Sequence, residues 1–409
     1  MTTLTSLTNS PADPVFQLTA EFRADPREQK VDLGVGVFRD RSGNTPVMRV
    51  VRQAQQRLVA EEQSKSYIGL SGFAPFNAAC LDVIFGQGAR DDRYVALQTP
   101  GGAGAVRLIF ELVKLASKDS TLWISEQTWS PHFTIAEAVG LKWKTYPYYD
   151  YSTGKPGFEA MLASLRAAKP HDVILLHGCC HNPTGADLST DQWKEIGKVL
   201  AAGGLLPVID IAYQGFGSGI EEDAAGIRTL VAEVPELLVA YSCSKNFGVY
   251  RDRVGCAMAI ANTSKSAKNV AENLVLLARG NYSMPPHHGA AIVATVLSDP
   301  GFRTLWEREL GEMRAQVAAT RKSFVAAFGS RASEFRLNSI VDQKGMFSLL
   351  PVDADVVSNL KKEFGIYMPG NGRINFAGLV DRDVPRVVDA LAKLMSAPAQ
   401  NRAGAGHRA

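Results

Sequence analysis

Cysteine is scarce in this chain of 409 residues, which has only five. Cys80, Cys179, Cys180, Cys243 and Cys256 are too few, and odd in number, to staple a chain of this length, which excludes a disulfide framework and points to a reducing compartment. Neither sign of charge dominates. The 44 basic residues meet 41 acidic ones, and the resulting +3 is spread too evenly to offer nucleic acid a basic stripe. No apolar run approaches membrane-spanning length, so no membrane partner is expected. The opening MTTLTSLTNSPADPVF lacks both the basic start and the apolar core of a secretory signal, and a cytoplasmic location is the expectation. What is present is an ordinary globular balance, 46% hydrophobic and 21% charged, in a chain long enough for roughly two to three domains.

From Val95 to Ile260 short apolar runs alternate with helical stretches: TLWIS at 121, DVILLH at 172, LLPVID at 205, LLVAYS at 237 and GCAMAI at 255. Between them, DLSTDQWKEIGKVLAAGG opens on Asp, Ser and Thr and closes on Gly203-Gly204, the start and stop signals of a helix. This alternation predicts an α/β fold with a large domain, its mostly parallel sheet covered by helices. A long amphipathic stretch, roughly Arg303 to Phe328, then gives way to the strand candidates GMFSLL and RINFAG and two more helical stretches. The change of rhythm predicts a small α+β domain, followed by a frayed tail, AQNRAGAGHRA.

The densest chemistry comes after the LLVAYS strand. In YSCSKNFGVYRDRVG, Lys245 stands directly after an apolar run, with Ser242, Ser244, Asn246 and Gly248 around it. A buried parallel strand delivers the residues after it to the sheet's carboxyl edge, where open α/β sheets bind ligands. A loop lysine is ordinarily solvated. One that is partly desolvated near another cation forms Schiff bases, and two serines with an arginine are what a phosphate needs. Arg253, just before the next strand, returns to the same edge. Together these groups suit a phosphorylated carbonyl ligand, a description that pyridoxal 5'-phosphate meets. Its ring acts as an electron sink when a carboxylate keeps the ring nitrogen protonated. Asp210 ends the run LLPVI, a place where an isolated aspartate is otherwise a cap or turn residue. Tyr213 stands three residues on, with a phenol able to donate to a ring oxygen, and Ala212 and Gly215 leave room for a flat ring.

Three other stretches contribute. In HGCCHNPTG, His177, Cys179, Cys180 and His181 suggest a metal, but adjacent cysteines miss the spacing of structural zinc sites and no second half is near; no metal is expected. Asn182-Pro183-Thr184-Gly185 reads as a turn, whose amide can reach a ring oxygen or a substrate. TPGGAGAVRLIFELVKLA, from Thr99, lacks the dinucleotide pattern, yet N–H groups opening a helix bind the phosphate of a smaller cofactor equally well. Trp129, in EQTWSPHFTI, suits stacking on a heteroaromatic ring or plain packing. Arg279 in LLARGNYSMPP and Arg373 in GNGRINFAG each read alone as a surface arginine; as a pair of guanidinium forks they suit a substrate with two carboxylates.

Taken together, S-x-S-K-N-F-G-x-Y-x-x-R-V-G, HGCCHNPTG, D-x-A-Y-Q-G-F and R-x-N-Y-S-x-P-P resemble the class I aminotransferases of the aspartate and aromatic amino acid group, from VDLGVGVFRD at 31 to INFAGL at 374. The resemblance implies the fold of type I pyridoxal-phosphate enzymes and reversible ping-pong transamination with 2-oxoglutarate, using an aromatic amino acid, aspartate or both. By that resemblance Lys245 would hold the cofactor and shuttle a proton, Asp210 would pair with the ring nitrogen, Tyr213 and Asn182 would bond the ring oxygen, and Trp129 would stack on the ring. Ser242, Ser244, Arg253 and the Gly102-Ala103 amides would hold the phosphate. The family usually has a hydroxyl residue where Ala103 stands, so one phosphate bond would be missing here. Arg373, assisted by Asn182, would take the substrate α-carboxylate, with Gly36 and Trp129 lining the site. Arg279, for a distal carboxylate, and Tyr67 in KSYIGLSG, for the phosphate, would come from the partner in a homodimer with shared sites. His132 would pack near Trp129 and Asp210. The implied division is residues 1–45 joining the small domain, 46–311 the large cofactor-binding domain and 312–409 the rest of the small domain. Decarboxylation and β-elimination are disfavoured by the two arginines, and a cofactor-sensing regulator by the lack of a DNA-binding unit in the first 30 residues.

Overall fold

The computed structural model describes residues 3–9, 13–87 and 91–396; the AQNRAGAGHRA tail lies outside the described residues. Eleven strands matter to the site. They are β1 (Val31–Asp32), β2 (Tyr94–Pro100), β3 (Thr121–Ser125), β4 (Lys142–Tyr146), β5 (Val173–His177), β6 (Leu206–Ile211), β7 (Leu237–Ser242), β8 (Val254–Ile260), β9 (Phe347–Leu349), β10 (Ile366–Tyr367) and β11 (Arg373–Asn375). The helices that matter are α1 (Pro14–Ala24), α2 (Gly101–Ala116), α3 (Pro131–Val139), α4 (Thr190–Gly203), α5 (Ser264–Asn281), α6 (His287–Ser298) and α7 (Pro300–Phe328).

Strands β2 to β8 form one sheet in the order β2-β8-β7-β6-β5-β3-β4. Within it β8 runs against both neighbours, while β7, β6, β5, β3 and β4 pair in parallel. The inner strands are continuously apolar because both faces are covered: every residue of β7 and β8 is buried. The pleat sorts alternate residues into two cores. Ile174, Leu176, Ile209, Val239 and Tyr241 enter one, and Val173, Leu175, Val208, Leu238 and Ala240 enter the other. The edge strand β4, KWKTY, exposes four of its five residues, and its two lysines blunt an otherwise open edge.

Helix ends obey their signals. Ser189 and Gln192 close a reciprocal capping box on α4, and Gly204 ends it in the left-handed region at φ 61°. Helix α7 begins three residues before the expected Arg303, because Asp299 accepts from the N–H groups of Gly301 and Phe302 and Pro300 occupies the first turn. Beyond the sheet, β1 pairs in parallel with β10, and β9 pairs antiparallel with β11. The chain's N-terminal segment is therefore stitched to its C-terminal portion.

Candidate active site

Strand register brings the chemistry together. Asp210 lies opposite His177 across β5 and β6, and Ser242, at the end of β7, lies opposite Gly255 at the start of β8. At this edge the fifteen residues lining a cavity of about 200 Å³ include Gly36, Gly102, Ala103, Trp129, Asn182, Asp210, Tyr213, Ser242, Ser244, Lys245 and Arg253. All eleven were singled out from the sequence. Arg373 adjoins them through Asn182, to whose Oδ1 its NH1 donates at 3.5 Å. Tyr67 and Arg279 are not brought in: Tyr67 is 93% exposed, and Arg279, in the last turn of α5, is exposed and donates to Ser283 Oγ. Gly215 is a correction. It packs against α7, where an added Cβ would lie 2.3 Å from Leu310 Cδ2, so it makes no room for a ring.

At one end of the cavity the groups form a cup. Helix α2 starts at Gly101 without a side-chain cap, which leaves its first N–H groups for a ligand. Ser242 Oγ donates to Ser244 Oγ at 3.1 Å, and Arg253 NH1 donates to Ser244 Oγ at 3.4 Å. A Cβ at Gly102 would fall 2.8 Å from that of Ser242, and one at Gly101 2.5 Å from Arg253 NH2, so glycine is what lets helix, serines and arginine converge. Backbone donors, hydroxyls and a guanidinium with no carboxylate among them suit a phosphate.

Lys245 Nζ sits 4.9 Å from the centre of the Tyr213 ring. Burial lowers the pKa of its amine to about 8, with the positive charges of Arg253 and Arg373 acting the same way and Asp210 opposing. A usable fraction of neutral amine is thus present near neutral pH. Burial pushes the Tyr213 phenol above its ordinary range; its oxygen accepts from Asn182 Nδ2 at 3.4 Å.

Asp210 is buried, which alone would raise its pKa, but the hydrogen bond from His132, with the positive charge of Lys245 acting the same way, outweighs burial and holds it below the usual value. A relay behind it fixes which protons are where. Asn182 N–H donates to His177 Nδ1 at 3.3 Å, and burial pushes His177 down to about 3, so this ring is neutral and carries its proton on Nε2. That proton goes to Thr128 Oγ1 at 3.0 Å. The Thr128 hydroxyl then donates to His132 Nδ1 at 2.8 Å, and His132 donates from Nε2 to Asp210 Oδ2 at 3.1 Å. The chain of donors leaves Asp210 an anionic acceptor beside the cavity, with Trp129 edge-on to His132 at 5.2 Å. Thr128 and His177 were missed as site residues. The register of His177 with Asp210 is the signal, and it exists only once β5 and β6 are paired.

Arg373 is held by contacts that aim it. Its guanidinium lies 4.3 Å above the Phe347 ring, its NH2 donates to Gly34 O at 2.6 Å, and its buried Nε has no partner among the described residues. An unsatisfied buried guanidinium nitrogen next to an open cavity suits an incoming carboxylate. The thiols of Cys179 and Cys180 come within 4.8 Å of an Asp223 oxygen, a grouping the sequence did not suggest. Asp223 is committed to its loop, accepting from the N–H groups of Gly215, Gly217 and Ser218. Both thiols are held well above their ordinary range, Cys179 by its contact with Cys180 and by burial, Cys180 by burial.

Comparison with known proteins agrees with this geometry. Residues 28–391 match the family described as Aminotransferase class I and II. The chain is 45% identical to the aromatic-amino-acid aminotransferase of Paracoccus denitrificans over 93% of this chain and 96% of that protein. To the aspartate aminotransferase of Escherichia coli (strain K12) it is 38% identical, over 95% and 99%. Among solved structures, an aromatic-amino-acid aminotransferase from Burkholderia pseudomallei covalently bound to pyridoxal phosphate superposes with a TM-score of 0.94 at 36% identity, covering 97% of this chain and 100% of that one.

Proposed function

The chain belongs to the class I and II aminotransferases and depends on pyridoxal 5'-phosphate; from that premise we propose that it exchanges amino groups between aromatic amino acids or aspartate and 2-oxoglutarate, in the cavity around Lys245. The amine of Lys245, kept partly neutral by burial beside an anionic Asp210 and a phosphate cradle, is the observation that carries this reading. The bound cofactor supplies an aldehyde that takes up amines and a ring that draws electrons from the carbon bearing the nitrogen.

The protein's own residues do the rest. Lys245 Nζ would hold the aldehyde and, with its amine free, would take and return the proton of the reacting carbon. Asp210 Oδ2, bonded to His132, keeps its charge and so keeps a ring nitrogen protonated. Tyr213 and Asn182 would donate to the ring oxygen, and Trp129 would stack on the ring. The N–H groups of Gly102 and Ala103, the hydroxyls of Ser242 and Ser244, and Arg253 hold the phosphate. Arg373 and Asn182 grip the α-carboxylate beside Gly36. The amino acid leaves as a 2-oxo acid, and a second 2-oxo acid reverses the steps.

The exposure of Tyr67 and Arg279 supports a homodimer in which each is donated to the partner's cavity, Tyr67 to the phosphate and Arg279 to a distal carboxylate. The names of the relatives, aromatic in one and aspartate in another, support the pairing of both substrates. The pairing of β1 with β10 supports assigning residues 1–45 to the small domain with 312–409, around a large domain of 46–311. Five free cysteines, and no helix among the described residues long and apolar enough to cross a membrane, support a cytoplasmic enzyme.

Absorbance tests the reading directly. The visible band of the loaded protein bleaches on adding glutamate and returns with 2-oxoglutarate; a band indifferent to both overturns the proposal.

A further inference from the structure

Tyr250 lines the cavity, yet none of the roles above uses it. Its two polar ends reach in different directions. The backbone carbonyl accepts from Arg253 NH1 at 2.9 Å, the same nitrogen that donates to Ser244 Oγ in the phosphate cradle. The phenol oxygen accepts from the N–H of Phe38 at 3.0 Å, across 212 residues of sequence. Phe38 closes the segment that begins at Gly34 and carries Gly36 on the cavity wall. The rest of that segment is gripped from the C-terminal portion of the chain: Arg373 donates to Gly34 O, and Asn375 Nδ2 donates to Val35 O and Val37 O at 2.6 and 3.0 Å. Tyr250 reaches its last residue from another part of the chain, the loop after Lys245.

We propose that Tyr250 is a positioning residue that couples the phosphate cradle to the substrate-side wall: when a phosphate fixes Arg253, the Tyr250 carbonyl and hence its hydroxyl are fixed, and the Gly34–Phe38 segment is held in the place where Arg373 meets a carboxylate. The inference deepens the reading of this cavity as an aminotransferase site and rests on it. Its physical basis is that Arg253 stands in the left-handed region at φ 55°, a conformation a non-glycine residue keeps only when its surroundings hold it. Occupancy of the guanidinium is therefore felt along the 250–253 backbone. Phe38 is buried, so its N–H has no water to turn to if the phenol oxygen is removed.

The test is Tyr250→Phe, which deletes the hydroxyl and leaves the carbonyl that Arg253 uses. KM for aspartate and glutamate is expected to rise about tenfold, the loss typical of leaving one buried donor unpaired, while kcat and the affinity for pyridoxal 5'-phosphate stay within about threefold. A cofactor affinity that falls as far as KM rises would show that the residue merely props up the cradle and would overturn the proposal. Hydrogen exchange gives a readout independent of turnover and, in its first arm, of any variant. Inorganic phosphate added to the cofactor-free wild-type protein is expected to slow exchange across residues 34–39, and the slowing is expected to vanish in Tyr250→Phe. Exchange that phosphate leaves unchanged in the wild type, or slows equally in the variant, contradicts the coupling. If the protein failed to transaminate, the exchange arm would still decide this inference, so the two failures are told apart.

Discussion

At the scale of single residues, Lys245 carries two opposed demands: it must be desolvated to react, and desolvation makes its charge costly. With the amine lowered from 10.5 to about 8, the folded state disfavours the ammonium by roughly 3 kcal/mol at 1.36 kcal/mol per pKa unit. The sign comes from linkage: the cost is full below pH 8 and fades as pH rises toward 10.5, where folded and unfolded chains are both neutral. Lys245→Met should therefore stabilise the cofactor-free protein at about pH 7, with the gain shrinking between pH 8 and 10.5 in denaturant titrations. Ala103, beside the cradle, makes an opposite kind of prediction. Ala103→Ser would add a hydroxyl beside the proposed phosphate site, and cofactor release should slow about tenfold, as one hydrogen bond to a charged acceptor implies. Lys245, Asp210 and the serines were legible in the sequence because each stands at or just beyond the end of an apolar strand, a position that topology converts into proximity. Gly215 was misread, since nothing local told a glycine that makes room for a ligand from one that makes room for Leu310.

At the scale of elements, the relay from β5 to the start of α3 does what no single residue can. Thr128 stands in the loop before α3, accepts from His177 on β5 and donates to His132, so three elements fix the hydrogen bond that Asp210 accepts. Thr128→Val removes both bonds and frees His132 to hold its proton on either nitrogen. An approximately tenfold fall in kcat, with KM little changed, is the expected result in steady-state kinetics on aspartate. Only the approach of His132 to Asp210 was expected, from the resemblance; the rest was not visible, because Thr128 and His177 lie 49 residues apart and gain their meaning from the parallel pairing of strands. The inner strands, by contrast, were all found. Burial on both faces forces unbroken apolar runs, which stand out in any sequence. The edge strand β4 escaped notice for the converse reason, its exposed KWKTY having neither a continuous run nor an apolar face.

At the scale of the whole molecule, a cavity that gathers eleven of the expected groups and leaves Tyr67 and Arg279 on the surface is what the proposed homodimer, with each site completed by a second copy, requires. Mixing Lys245→Ala with Arg279→Ala protein tests this. If Arg279 serves the partner, mixed dimers contain one site with both groups intact, and activity on aspartate reappears that neither variant has alone; if it serves its own chain, mixing restores nothing. Their assignment could be made only from resemblance, because a residue acting across an interface leaves no trace in the contacts of its own chain. The covalent partner of the cofactor is the most direct test. Protein loaded with pyridoxal 5'-phosphate, reduced with borohydride, digested and mapped by mass should carry the pyridoxyl group on the peptide containing Lys245. Label on any other lysine, or none, would contradict it.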